Sequence, residues 1–276
     1  MDWNRTKTIF IWVFLILNIF LYTQYLESYN EGQKIEVLGG TTEIESQLKE
    51  DNITYIALPS NNGSAAYYSG QIKNFSPSEV PFFANQKTEI ENGNKLLVTM
   101  EKPVKLQENA GRDKFTEFLY SHVHQGDAYT LWTVDEENKV ATFFQTVNNV
   151  TLYYNVGGYV KIYWNDDERV VAYEQTILEK HEKLKKQQNL LTPIQVLQVL
   201  YGKNLLKPDS QILKMNLGYS TSVQLTQTQV FAPTWEVRVR LSDKSEEVHF
   251  VNAIDGKILD IQNDLSEIVE EEEDLE

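Results

Sequence analysis

The amino-acid sequence predicts an α+β fold, with an N-terminal transmembrane helix followed by a region of antiparallel sheets packed with a few helices. Residues 8–26 carry no charge and are long enough to span a bilayer, whereas later segments alternate apolar and polar residues between turns. Hydrophobic residues make up 41% of the 276-residue chain, which supplies the side chains of a packed core. Because this length exceeds a typical domain of ~100–150 residues, we expect two domains after the helix.

The charge of the chain is strongly negative. Its formal net charge is −15, and the last thirteen residues hold eight acids and no base, so the other 263 residues carry −7. A chain without an excess of bases offers no basic surface, and binding to nucleic acid is therefore not expected. The chain has no cysteine, which excludes disulfide frameworks, thiolate metal sites and cysteine nucleophiles.

Residues 8–26 are predicted to form an uncleaved membrane anchor. As a helix that rises 1.5 Å per residue they reach ~28 Å, close to the ~30 Å thickness of the bilayer hydrocarbon. A secretory signal peptide has a shorter apolar core followed by small residues at a cleavage site. Here the apolar core runs directly into the bulky YTQYL of residues 22–26, so the helix is expected to stay attached to the protein.

The charges on either side of the anchor predict its orientation. Arg5 and Lys7 precede it, whereas Glu27 and Glu31 follow it. By the positive-inside rule, residues 1–7 are expected in the cytoplasm and everything after the anchor outside the cell. No second apolar run of this length follows, so the sequence predicts a single-pass type II protein of the cell membrane with an extracellular C-terminal region.

Asn18 is the strongly polar residue near the middle of the anchor. An amide that faces lipid lacks partners, and a hydrogen bond to another helix is worth roughly 0.6–2 kcal/mol there, which favours a partner helix. Alternatively, Asn18 bonds to the backbone of its own helix. Both interpretations stay open. The residues that share a face with Asn18 at helical spacing form the predicted partner-helix interface, namely Ile11, Phe14, Leu15, Leu21 and Tyr22.

The first predicted domain, residues 33–181, begins with a short helix between strands. A capping-box signature at Thr42 and Glu45 starts a helix that ends near residue 52. Another helix is expected at 114–123. Strands are predicted at 34–38, 53–58, 66–72, 95–100, 129–134, 140–147, 151–154, 159–164 and 169–178. The last five are expected to form an antiparallel meander because their connections are short, with a tight turn at 165–168.

The second predicted domain, residues 182–263, follows a charged stretch at 179–189 that lacks strand alternation and indicates a connector. Thr192 caps a helix with Pro193 at its first position, and Gly202 ends it. Strands are predicted at 212–219, 235–241, 247–253 and 257–261, with a hairpin turn at residues 255–256. Residues 264–276 form an acidic tail that is too charged to pack.

Metal binding is not favoured by the pattern of possible ligands. The four histidines, His122, His124, His181 and His249, follow no zinc-site spacing, and surface or packing roles are the simpler interpretation. The acidic clusters at 166–168 and 270–274 lack the alternating ligands and central glycine of a calcium loop. A turn and a solvated tail explain them, so neither a metal nor a cofactor is expected.

Two further classes of function remain as alternatives. A wall-associated hydrolase could use a carboxylate pair, with Glu168 or Glu174 acting beside Asp135. However, no nucleophile elbow or phosphate loop is present, and the sequence favours no enzyme. An extracellular ligand-binding module could stack exposed tyrosines on a glycan or peptide, although aromatic residues on strands more often form cross-strand pairs. The candidate tyrosines are Tyr67, Tyr68, Tyr153, Tyr154, Tyr159 and Tyr163.

Three parts of the sequence resemble one known family. The opening MDWNRTKTIF (1–10), which runs into an anchor containing LILN (15–18), resembles the start of the YycI proteins of Gram-positive bacteria. The hairpin YWND (163–166) with VVAYEQT (170–176) resembles the same family. The segments WEV (235–237) and VHFVNAIDG (248–256) are similar to its final strands and to the hairpin of PepSY-type modules.

The resemblance implies regulation without catalysis. YycI and its relative YycH are membrane-anchored proteins that act with the WalK (YycG) sensor histidine kinase, whose response regulator WalR (YycF) controls cell-wall metabolism. In this family the anchor helix contacts the transmembrane helices of the kinase and tunes its activity, while the extracellular region associates with YycH. The resemblance thus implies three partners, namely the kinase, YycH and the membrane.

Overall fold

The computed structural model describes residues 3–33, 41–59, 63–78, 80, 84–106, 114–147, 149–184, 187–224 and 228–261. The helices are α1 (Trp3–Gln33), α2 (Thr41–Glu50), α3 (Thr116–His122) and α4 (Pro193–Gly202). The first strands are β1 (Thr54–Tyr55), β2 (Ser64–Ala65), β3 (Tyr68–Ile72), β4 (Gln86–Glu91), β5 (Lys95–Lys105), β6 (Tyr129–Asp135), β7 (Val140–Val147) and β8 (Val150–Tyr153). They are followed by β9 (Tyr159–Trp164), β10 (Arg169–Thr176), β11 (Leu178–Lys183), β12 (Gln188–Asn189), β13 (Gln211–Gln224), β14 (Thr228–Arg240), β15 (Glu246–Asn252) and β16 (Ile258–Leu259).

The strands confirm the predicted α+β class with a mostly antiparallel sheet. Within the described residues, fourteen strands form one sheet, and ten of them follow the path β11-β3-β14-β13-β8-β7-β9-β10-β5-β4. β6 pairs with β7, β1 pairs with β13, and β15 pairs with both β14 and β16. Only the pairings of β1 and β8 with β13 are parallel in this part of the chain. β12 and β2 form a separate two-stranded ladder.

The predicted meander is only partly correct. β9 pairs antiparallel with β7 and β10, as expected from the short turns. However, β8 leaves this sheet after two residue pairs with β7 and pairs in parallel with β13 instead. β10 also gains a partner that the sequence did not predict, because the long strand β5 lies on its other side. β8 therefore links the two halves of the sheet. One half contains β7, β9, β10, β5 and β4, and the other contains β13, β14, β3 and β11.

Several element boundaries also differ from the prediction. The stretch 179–189, predicted as a connector, instead contains most of β11 and all of β12, and β11 pairs with β3. The strand predicted at 53–58 is reduced to β1, and the strand predicted at 34–38 lies outside the described residues. The helix predicted from residue 42 is α2, and the helix predicted at 114–123 is α3.

The helix α4 forms where its local signals predict it. Pro193 occupies its start, and the Gln195 side chain accepts a hydrogen bond from the backbone N–H of Thr192 at 2.8 Å, within a complete capping box. Val196, Leu197 and Leu200 are fully buried and hold one face of α4 against the sheet. The start and end predicted from the sequence are therefore confirmed.

Two cores lie on this sheet. The first core contains apolar side chains of α3, β5, β7, β9 and β10, among them Phe118, Phe143 and Ile162. The second core contains side chains of α2, α4, β13, β14 and β15, and it includes Leu48 and Trp235. α2 thus packs with strands that follow it by more than 150 residues. The division into domains at 33–181 and 182–263 stays a prediction, and the packing assigns α2 to the second core.

Candidate functional site

The helix α1 contains one stretch suited to crossing a membrane. From Lys7 to Tyr25 it has 19 residues with a mean hydropathy of 1.7, and none of this stretch is buried inside the protein. Its large apolar side chains are exposed, for example Phe10 at 70%. An isolated apolar helix of this length needs a nonaqueous surrounding, and a bilayer or a partner helix provides one.

Asn18 bonds within its own helix. Its Nδ2 donates to the backbone oxygen of Phe14 at 2.8 Å, which is the second of the two interpretations open from the sequence. This bond uses one of two N–H donors, so the other donor and the carbonyl oxygen can still bond to a neighbouring helix. The predicted interface residues are all exposed, and their contact with a partner helix stays a prediction. They are Ile11, Phe14, Leu15, Leu21 and Tyr22.

A second candidate site lies where the two halves of the sheet meet. It depends on β14, whose successive side chains point to opposite faces of the sheet. Trp235, Val237 and Val239 point into the second core. Glu236 and Arg238 therefore point to the opposite face of the sheet. That face is covered by β6, β7 and β8, so Glu236 is 0% exposed although it is charged.

Three side chains surround the buried carboxylate of Glu236. Its Oε1 lies 3.4 Å from Nη2 of Arg238, and its Oε2 lies 3.9 Å from Nζ of Lys214. Tyr153 on β8 is the third neighbour of this carboxylate. Burial, followed by the charge of Glu236, raises the pKa of Tyr153 well above its usual range. The carboxylate thus connects β14 with β8.

Aromatic rings surround these charges. The guanidinium carbon of Arg238 lies 5.5 Å from the centre of the Trp132 ring on β6, a cation–π contact. The indole N–H of Trp132 donates to the hydroxyl of Tyr154 at 3.1 Å. We call the whole group the junction cluster, which comprises Trp132, Phe144, Tyr153, Tyr154, Lys214, Glu236, Arg238 and Phe250.

A glycine on β13 makes room for this cluster. Gly218 faces the ring of Tyr153, and a Cβ atom at this position would lie 2.2 Å from Cε2 of that ring. Gly218 pairs with Thr234 in the middle of the β13–β14 ladder, where glycine otherwise weakens a strand. The missing side chain therefore leaves the space that the ring of Tyr153 occupies against β13.

Buried amides fix the chain beside the junction cluster. Nδ2 of Asn155 donates to Oγ1 of Thr221 at 2.7 Å and also to Oε1 of Gln229, while its Oδ1 accepts from the N–H of Gly157 at 2.8 Å. Gln145 bonds to both backbone groups of Leu178, at 2.9 Å each. These bonds tie β7 and the turn after β8 to the beginning of β11 and to β13 and β14.

The residues considered for catalysis or metal binding have local structural partners. Among the described residues there is no group of three or more possible ligands that could hold a metal ion. His122 stacks on Phe118, with ring centres 4.8 Å apart, and burial lowers its pKa. Asp135 accepts bonds from two backbone N–H groups of its turn. Glu174 lies 3.4 Å from Lys161, and Glu168 lies 3.7 Å from Lys114.

Three of the six tyrosines considered for ligand binding pack against other side chains of the fold. Tyr153 is 2% exposed, and Tyr154 contacts Trp132 and Phe144. Tyr68 packs edge-on against Tyr219 at 5.4 Å between ring centres. They serve as cross-strand contacts, in agreement with the simpler of the two interpretations from the sequence.

Neither Glu236 nor Gly218 was predicted from the sequence as a site residue. In an alternating strand, a charged residue next to the buried Trp235 is predicted to face solvent. Glu236 is buried instead, among side chains from other strands. The available signal was Gly218, because an isolated glycine inside a strand indicates a close approach of another part of the chain.

Taken together, the fold and these sites define an α+β protein with one N-terminal apolar helix and a sheet whose two cores meet at a buried polar cluster. The chain belongs to the YycI family, since the family described as YycI protein matches residues 33–254. This confirms the family that the sequence resembles, and the matched range contains the hairpin segments up to residue 254 but not the N-terminal string. YycI is a regulatory family.

Three solved structures are similar to the chain at low identity. An uncharacterised protein of Eubacterium rectale is 10% identical, with 76% of this chain and 91% of that chain covered and a TM-score of 0.46. The C-terminal domain of YpeB from Bacillus megaterium is 17% identical, with coverage of 74% and 87% and a TM-score of 0.39. YycH from Bacillus subtilis is 12% identical, with coverage of 65% and 43% and a TM-score of 0.35. Among curated proteins, none matches the sequence.

Proposed function

We propose that this protein is a non-enzymatic, membrane-anchored regulator of the WalK (YycG) sensor histidine kinase, which acts together with YycH in the control of cell-wall metabolism. Membership of the YycI family supports this proposal. The observation that carries it is the apolar stretch Lys7–Tyr25 of α1, which is not buried inside the protein and has the amide of Asn18 near its middle. In this proposal, the region after α1 lies outside the cell and forms two domains, of which the second is PepSY-like.

Regulation through the anchor follows from a simple energetic argument. A kinase that spans the membrane can exist in two arrangements of its signalling helices, and a helix that packs better against one of them shifts the equilibrium. A difference in contact free energy of ~1–3 kcal/mol changes the equilibrium roughly 5–150-fold. A mixed apolar face with one amide is sufficient for a difference of this size.

Replacement of Asn18 by leucine should weaken this regulation while leaving membrane insertion intact. The substitution removes the amide that can bond across helices and makes the span more apolar. We expect less kinase to co-purify with Asn18→Leu and a several-fold change in the transcription of wall genes. Replacing residues 9–22 with an unrelated apolar span should have a larger effect.

The control for Asn18→Leu is Phe20→Leu, which changes an exposed residue on the opposite side of α1. It should co-purify with the kinase as the native protein does. If the unrelated span, expressed at the same level, regulates as well as the native anchor, then α1 is only a tether and the proposed contact is wrong.

The proposed orientation is tested by labelling with a thiol reagent. Ser46 is exposed on α2, and the chain has no native cysteine, so Ser46→Cys introduces a single reactive site. A membrane-impermeant thiol reagent should modify this cysteine in intact cells, because the positive charges at Arg5 and Lys7 keep the N-terminus inside. Labelling that requires cell lysis would place the folded region in the cytoplasm instead.

A further inference from the structure

The junction cluster contains a buried charge that is energetically unfavourable and that the packing of the two cores does not explain. The carboxylate of Glu236 is fully buried, and its Oε2 accepts no hydrogen bond from any described residue. Nε of Arg238 is buried and also makes no hydrogen bond within this part of the structure. The two cations that face the carboxylate lie at 3.4 and 3.9 Å, and Lys214 is half exposed. Attraction of this kind rarely repays the lost hydration of a buried charge.

The main-chain contacts at this place are few. β8 connects the sheet of the first core to the sheet of the second core, but it pairs with β13 at only two positions, Leu152 with Tyr219 and Tyr153 with Ser220. Among the described strands no other pairing joins the two halves, because β3 pairs only with β11 and β14 at the far end of the strand path. Side chains are therefore needed if the two halves are to keep one relative orientation.

We propose that the junction cluster is a polar latch that holds the two halves of the folded region in one orientation at the expense of stability. Hydrogen bonds and ion pairs are directional, whereas apolar rings tolerate sliding against each other. Glu236 is the centre of the latch because it contacts β8 through Tyr153 and contacts Arg238, which in turn lies over Trp132 of β6. Breaking the latch loosens the orientation before it unfolds either core.

The test separates orientation from stability with spin labels in the full-length chain, reconstituted in lipid nanodiscs. Lys102 on β5 and Lys257 after β15 are both exposed, and Lys102→Cys with Lys257→Cys places one label on each half of the molecule. The probe is the width of the distance distribution measured by double electron–electron resonance. Thermal melting of the same samples records stability.

Two variants break the latch in different ways. In Glu236→Leu with Arg238→Met the buried charges are replaced by apolar side chains, and in Tyr153→Phe only the hydroxyl is removed. We expect both to keep a cooperative melt within a few degrees of the native value, or above it, and to broaden the distance distribution about twofold. The matched control is Glu246→Gln, a glutamate of β15 that pairs with Arg240 at the surface, and it should leave the width unchanged.

The result that would overturn the latch is a native width in both variants. A cluster that serves stability alone would lower the melting temperature without broadening the distribution, and this outcome also contradicts the proposal. If the double variant does not fold, Tyr153→Phe decides the question, because removing one hydroxyl from a well-packed ring keeps its shape.

Discussion

Replacement of Gly218 by alanine is expected to lower the melting temperature of the protein by several degrees. The new Cβ atom would lie 2.2 Å from Cε2 of Tyr153 and 2.8 Å from the backbone oxygen of Thr151, closer than real contacts allow. Overpacking of this kind costs about 1–3 kcal/mol, and each kcal/mol shifts the melting temperature by roughly 2–4 °C at this chain length. Thermal unfolding of the detergent-solubilised full-length protein, followed by near-ultraviolet circular dichroism, measures the effect.

The control for Gly218→Ala is Gly202→Ala at the end of α4. A Cβ at Gly202 meets no atom within 4 Å, so this variant should melt close to the native temperature. In a Tyr153→Ala background the cost of Gly218→Ala should shrink, because the ring that it strikes is gone. Equal melting temperatures for the two glycine variants would mean that Tyr153 does not lie on β13 as described.

Replacement of Gln145 by methionine is expected to be more damaging still. The two side chains are similar in length, but methionine leaves the backbone N–H and C=O of Leu178 without their bonds to the amide. Each unsatisfied buried group costs about 1–3 kcal/mol, so the pair costs roughly 2–6 kcal/mol. At roughly 2–4 °C per kcal/mol, we expect a fall of the melting temperature by about ten degrees and faster hydrogen exchange at the amide of Leu178.

Gln211→Met is the matched control, since Gln211 is exposed at the start of β13. This variant should melt within about a degree of the native protein, as surface substitutions usually do. If Gln145→Met melts at the same temperature as Gln211→Met, the amide of Gln145 contributes nothing that a methionine cannot replace.

The elements that the sequence predicted correctly are those with local signals. α4 carries its start and end in Thr192, Pro193 and Gly202, and β9 alternates buried and half-buried residues along its whole length. β11 was missed for the opposite reason. Its residues from 179 onwards are charged and mostly exposed on both sides, so no alternation marks it, and only pairing with β3 makes it a strand.

The junction cluster depends on contacts that no local pattern encodes. In the alternating pattern of β14, Glu236 occupies a position typical of a solvent-facing residue. It is buried because Tyr153 and Trp132 pack there from strands about 80 to 100 residues earlier in the chain. The anchor is the opposite case, because its length, charge and apolar character are all properties of one continuous segment. The contacts of Asn18 outside its own helix are made with a second molecule, so the sequence of one chain does not encode them.

The position of α2 has a consequence for how the protein is made. Ile44, Leu48 and Ile53 leave the ribosome first among the residues of the second core, yet β1 pairs with Gln211 and Ile212 of β13, more than 150 residues later. These apolar side chains stay without their partners while the whole of the first core is synthesised. Closing so distant a contact is slow, and unburied apolar surface invites aggregation during the delay. α2 is therefore expected to reach its final packing late, after α4 and β13 are available, and a chain truncated before α4 would leave α2 without the rest of the second core.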